Sequence, residues 1–161
     1  MAALRSPSGD DVGLRKELRS RAEDRLARAM RSGYYIEAVA LEDSMISDRL
    51  EGLLGLRKEH VAMNSLGQLA QLARAMDPKA FTALAQRLQA WAELRNQVVH
   101  QMVKVGPTHR GDWESRLAAA RVAAVEGQTL AVDVDRTVAE YVATQPSAGT
   151  GPHTSAGVSG G

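Results

Sequence analysis

Arg95, Asn96 and His100 are the residues of this sequence whose types and spacing suit chemistry as well as packing. An arginine carries a planar fork of donors that can hold two phosphate oxygens at once. A histidine has an unperturbed pKa of about 6.5, so it can take up and return a proton near neutral pH, and such catalysis is typically worth about 10²–10⁴-fold. Together they suit proton transfer beside a bound anionic group such as a phosphate. Asn96 fits a supporting place, donating to a phosphate or holding the imidazole in one tautomer.

These residues must be positioned by a helix. At about 100° per residue, Leu84, Leu88, Trp91, Val98, Met102 and Val105 fall on one apolar stripe. Arg95 falls inside that stripe, where a guanidinium must meet an acid, a carbonyl or a bound anion, or snorkel to water. Asn96 and His100 stand one turn apart on the flank, and Arg95 and His100 are roughly 140° apart on an ideal helix. One helix thus presents them to neighbouring edges of a groove.

A second helix carries the complementary charge. Tyr35, Val39, Ile46, Leu50 and Leu53 form its stripe, with Glu42 and Asp43 expected on either edge. An acid bordering an apolar seam usually has a partner, so Glu42 or Asp43 is expected to pair with Arg95 or with a neighbouring subunit. The plainer alternative is an edge salt bridge with no part in chemistry.

The run Arg95-Asn96-Gln97-Val98-Val99-His100 resembles the signature of the HEPN superfamily, an arginine and a histidine separated by four to six residues, with a polar residue directly after the arginine. The segment from Gly33 to Glu51 also looks like the second helix of such domains, and the resemblance extends over roughly residues 14–144. It implies a small all-helical domain and a metal-independent endoribonuclease of the kind found in toxin–antitoxin and phage-defence systems. Arg95 and His100 would be catalytic and Asn96 supporting, with Glu42 and Asp43 as substrate-binding or supporting residues. RNA would be the substrate, with no cofactor. A cognate antitoxin or another defence-system protein is an expected partner. A single histidine is thin for two proton transfers, and a twofold dimer would bring His100 and its symmetry mate together with both arginines; the resemblance implies the same arrangement. Some family toxins continue with a tyrosine that a partner nucleotidyltransferase modifies with AMP, two residues after the histidine. Met102 stands there, so silencing by that route is not expected.

Composition bounds the alternatives. With 161 residues, 44% hydrophobic but only 4% aromatic, the chain must fill its core with Leu, Ala, Val and Met, which favours helices over sheets. A net charge of +1 supplies no broad basic field, so any nucleic-acid binding must rest on a local site. The absence of cysteine excludes disulfides, thiolate zinc sites and a cysteine nucleophile. No leader-like apolar region opens the sequence and no run approaches the roughly 18 apolar residues of a membrane span, so a soluble, cytoplasmic protein is expected. No phosphate-cradling glycine loop, zinc-protease helix motif or nucleophile elbow is present.

Along the chain, residues 1–11 read as a flexible arm, 12–144 as one helical domain, and 145–161 as a disordered tail rich in Gly, Ser and Pro. The first helix, about 12–31, places Leu14, Leu18, Ala22, Leu26 and Ala29 at helical spacing among alternating charges. Its arginines suit a solvated face better than an RNA contact, because Glu17, Glu23 and Asp24 interleave with them. Gly52 and Gly55 flank the end of the second helix, and a shorter helix over 61–76 follows His60, which suits a surface position better than a metal site. Asp77-Pro78 is a cap followed by a first-turn proline, opening the motif helix at 78; Gly106-Pro107 closes it near 105. Asp112 can cap the last helix, which Gly127 is able to bend or split. The expected fold is an all-α, HEPN-like bundle of four to five helices with a flexible C-terminal tail. The competing function is a non-catalytic helical module that binds a partner protein or nucleotide through the same groove.

Overall fold

In the computed structural model the described residues are 9–56, 65–102 and 112–145, and they form an all-helical bundle. Its helices are α1 (Gly9–Ser32), α2 (Tyr35–Leu54), α3 (Leu66–Met76), α4 (Pro78–Gln101) and α5 (Trp113–Thr144), with no strand among the described residues. The C-terminal tail from 146, the connection at 57–64 with His60, and the Gly106-Pro107 stop with Val105 lie outside the described residues.

The helix ends follow local chemistry. The Asp77 side chain accepts from the Ala80 amide at 3.0 Å and Pro78 fills the first helical position, where a missing N–H costs nothing. Asp112 does the same for α5 through the Ser115 amide at 2.8 Å. Ser65 and Gln68 close a reciprocal capping box at the start of α3. Gly55, at φ 72°, takes the left-handed conformation that ends α2. Several features differ from the pattern: α3 begins at Leu66, behind the extended Ser65 cap, and not at 61, and α4 ends at Gln101 and not near 105. α1 already begins at Gly9, so Asp10 and Asp11 lie within its first turn instead of before it. Gly127 does not split α5, which runs unbroken from Trp113 to Thr144; glycine there serves another purpose.

Cross-helix contacts set the directions. Arg116 meets the Met102 carbonyl, Trp91 the Ala123 carbonyl and Arg87 the Asp133 carboxylate, so α4 and α5 run antiparallel. Glu42 lies over Gly127 and Arg49 faces Asp135, so α2 and α5 run parallel. The α2–α5 and α3–α4 contacts are the most extensive, and α1 lies principally on α2. The core joins Ile46 and Leu50 of α2, Leu69 of α3, Phe81, Leu88 and Trp91 of α4, and Leu130, Val134 and Val138 of α5. Burying Trp91 alone, with its indole N–H donating to Ala123 at 2.8 Å, stabilises the fold by roughly 2–3 kcal/mol. The stripe on α1 is only half used. Leu26 and Ala29 are buried, but Leu14 and Leu18 are more than half exposed, because α1 packs principally on α2 and nothing among the described residues covers its outer side there.

Candidate functional site

The site grows from the crossing of α2, α4 and α5. The apolar period of α4 buries Leu88, Trp91 and Val98 and thereby turns Arg95 toward α2. There Arg95 Nη2 lies 3.0 Å from Asp43 Oδ1, with 23% and 28% of the two side chains exposed. The contact is ionic without hydrogen-bond alignment: both Asp43 Oδ1 and Arg95 Nε are buried with no hydrogen-bond partner. Burial raises the Asp43 carboxyl above its ordinary value, and the Arg95 charge only partly offsets this.

Glu42 differs from its neighbour and from the sequence pattern, which puts it at the edge of the stripe. It is fully buried, beside Trp91 and against the backbone of Gly127, and neither carboxyl oxygen has a hydrogen-bond partner. The physical reason lies on another helix. The absent side chain of Gly127 leaves room for a carboxyl group between α2 and α5, and a β-carbon there would stand 2.7 Å from both Glu42 Cδ and Trp91 Cζ2. Burial pushes the Glu42 carboxyl up to about 8, so it is predominantly neutral at neutral pH. Glu42 therefore does not neutralise Arg95; Asp43 does.

Asn96 and His100 are exposed on the outer side of α4. The structure thus brings Arg95 and Asp43 together, with Glu42 in the adjoining core, and leaves Asn96 and His100 facing solvent. Within one chain the guanidinium and the imidazole point in different directions, as their angular separation on the helix requires. Two features at this end of α4 escape the sequence pattern. Arg116 of α5 donates to the Met102 carbonyl at 3.0 Å, tying the end of the motif helix to the start of α5. An open groove lined by Tyr34, Tyr35, Met102, Trp113 and Leu117 adjoins it, with Tyr34 and Trp113 more than half exposed. Neither has a spacing signal, since each joins residues from separate helices.

No group of three or more His, Cys, Asp or Glu side chains arranged to hold a metal occurs among the described residues, and no helix among them is long and apolar enough to cross a membrane. Comparison with protein-family models, curated proteins and solved structures finds no match to this chain.

Proposed function

We propose that the protein is a metal-independent endoribonuclease of HEPN type, acting as a twofold dimer in a toxin or phage-defence setting in the cytoplasm. The observation that carries this reading is the division of labour along α4: Arg95 is oriented by Asp43 and remains partly open, while His100 and Asn96 lie exposed on the same helix. The 2′-oxygen of the substrate attacks the adjacent phosphorus, the bond to the 5′-oxygen breaks, and a 2′,3′-cyclic phosphate results. One His100 accepts the proton from the 2′-hydroxyl and the symmetry-related His100 supplies one to the leaving 5′-oxygen. Arg95 donates to the phosphoryl oxygens, where negative charge gathers. Asp43 holds the guanidinium in place but also competes with the phosphate for it. Glu42, neutral and enclosed, supports the α2–α5 contact beneath the pair.

A second reading is a HEPN-like module without catalysis, binding a partner protein or nucleotide. It is favoured by the outward direction of Asn96 and His100 away from Arg95 within one chain.

Incubating purified protein with labelled RNA in excess chelator separates the two. Cleavage leaving 2′,3′-cyclic phosphate ends, abolished in His100→Ala and Arg95→Ala proteins that still fold, is the expected result. Absence of cleavage by the wild type across several RNAs would leave the binding module. In cells, production of the wild type alone should slow growth and His100→Ala should relieve it, whereas an adaptor would be tolerated in both forms.

A further inference from the structure

The chain has two tryptophans, three tyrosines and one phenylalanine, and the fold divides them. Trp91 and Phe81 are buried in the core, and Tyr141 packs its ring edge on Phe81 at 5.2 Å. The other three, Tyr34, Tyr35 and Trp113, all line the groove at the end of the bundle where α1 and α4 finish and α2 and α5 begin. Its volume is about 390 Å³, within the range of ligand pockets. Tyr34 is 63% and Trp113 56% exposed, and helix stability explains neither. Tyr34 holds the N-cap position of α2 but makes no capping bond, where Ser, Thr, Asp or Asn would serve. Trp113 follows Asp112, which already caps α5, and an aromatic residue is a weaker helix former than Ala, Leu or Lys.

The charges at the rim identify what the rings hold. Acids interleave with the arginines of α1 only as far as Asp24; from there to Ser32 the helix carries Arg25, Arg28 and Arg31 and no acid. Arg25 pairs with Glu37, a residue of the groove, so this end of α1 forms one rim. Residues three apart are neighbours on a helix, which continues the line to Arg28 and Arg31. Both are exposed and neither forms an ion pair among the described residues; Arg28 uses only its Nε, on the Asp24 carbonyl. Of the acids opposite, Asp112 is engaged by the Ser115 amide, and Glu114 adjoins Trp113. Exposed ring faces beside arginines suit a flat base carried on an anionic backbone better than an aliphatic peptide face.

We infer that Tyr34 and Trp113 form a stacking site for an unpaired nucleobase, with Arg28 and Arg31 serving the phosphates beside it. The base lies against the rings, and the arginines neutralise the backbone on the α1 side. Met102 of the same groove follows His100 by two residues, about 3 Å along the axis of α4, although His100 faces the outer side of that helix. A flexible single strand can turn about the end of α4 from one to the other, and a rigid duplex cannot. The part this site plays in positioning a strand for cleavage rests on the ribonuclease reading; the binding itself does not.

Trp113 is the exposed one of the two tryptophans, so its fluorescence reports the groove in the full-length protein. The probe is a short single-stranded DNA of mixed sequence, which has no 2′-hydroxyl and so survives the proposed chemistry. Titration should quench the fluorescence, and a duplex of the same sequence should bind far more weakly. By anisotropy of the labelled strand, Trp113→Ala and Tyr34→Ala should each weaken binding roughly five- to 150-fold, with helical circular dichroism retained, whereas Trp113→Phe keeps a ring and should lose much less. Arg28→Ala and Arg31→Ala should each flatten the salt dependence of binding. Equal binding of the duplex, or affinity unchanged in both alanine variants, would overturn the site. Quenching by an apolar peptide but by no oligonucleotide would also overturn it and give the groove to a protein partner. Ring-dependent binding without cleavage of RNA would keep the site and sink the ribonuclease reading; cleavage with KM unchanged in Trp113→Ala would do the reverse.

Discussion

Glu42 of α2 and Gly127 of α5 form a single packing unit: the carboxyl group occupies the space that any side chain at position 127 would fill. Replacing a helix-interior glycine by alanine ordinarily stabilises by up to about 1 kcal/mol. Here the added methyl meets Glu42 and also Trp91, whose indole is pinned to the Ala123 carbonyl. Gly127→Ala should therefore destabilise by about 1–3 kcal/mol. Chemical denaturation checks the sign, and pairing the change with Glu42→Ala should recover part of the loss. A stabilised Gly127→Ala protein would show that the contact is not tight.

The buried carboxyl also predicts a direction with pH. Its folded value, about 8, lies above the ordinary 4.5, so the native state holds the proton while the unfolded state releases it. Its contribution is fully present below about 4.5, declines as pH rises through about 8, and changes no further above that. The total is at most on the order of 5 kcal/mol. The difference in stability between wild type and Glu42→Gln, followed across this range by denaturant titration, should shift steadily in favour of glutamine. A difference that stays constant with pH would contradict a neutral Glu42.

Arg95 and Asp43 should show coupling in a double-mutant cycle. Each truncation leaves a half-buried charge without its partner, and should cost about 1–3 kcal/mol. The double replacement should cost less than the sum, and additive losses would mean the ion pair contributes nothing. Asp43→Asn is informative for function, since it keeps the shape while removing the charge that competes with a phosphate. RNA affinity measured by titration should rise, even if loss of orientation slows cleavage.

His100 and Asn96 should separate activity from stability. Both are exposed, so alanine at either position should change folding free energy by no more than about 0.5 kcal/mol. Cleavage should be lost in His100→Ala and reduced in Asn96→Ala. Arg95→Ala, by contrast, should affect both quantities. Parallel measurement of unfolding and RNA cleavage on the three variants distinguishes a catalytic histidine from a surface one.

The local grammar of the fold is legible in the sequence. Asp77-Pro78 and Asp112 mark helix starts through side chain–amide bonds a few residues long, and Gly55 marks an end through its backbone conformation. The apolar period of α4 likewise points Arg95 inward. Depth is less legible. Glu42 reads as an edge residue because helical angle alone cannot reveal that another helix offers a vacancy at Gly127. Leu14 and Leu18 read as core because the pattern gives a face but not whether anything covers its full length. For His100 the spacing fixes an angle from Arg95 but supplies no second helix to bring the two groups together.

Asp135 has a consequence for how the bundle comes apart. It receives Arg19 from α1 and Arg49 from α2, the latter at 3.2 Å, so a single carboxylate on α5 ties down two other helices. The start of α1 otherwise has little apolar anchorage, with Leu14 and Leu18 exposed. Its amides should exchange with deuterium before those of α2 and α5, and raised salt, which screens the Arg19 contact, should hasten that exchange. The N-terminal half of α1 should thus open as a unit of its own, ahead of the α2–α5 centre to which Asp135 clasps it.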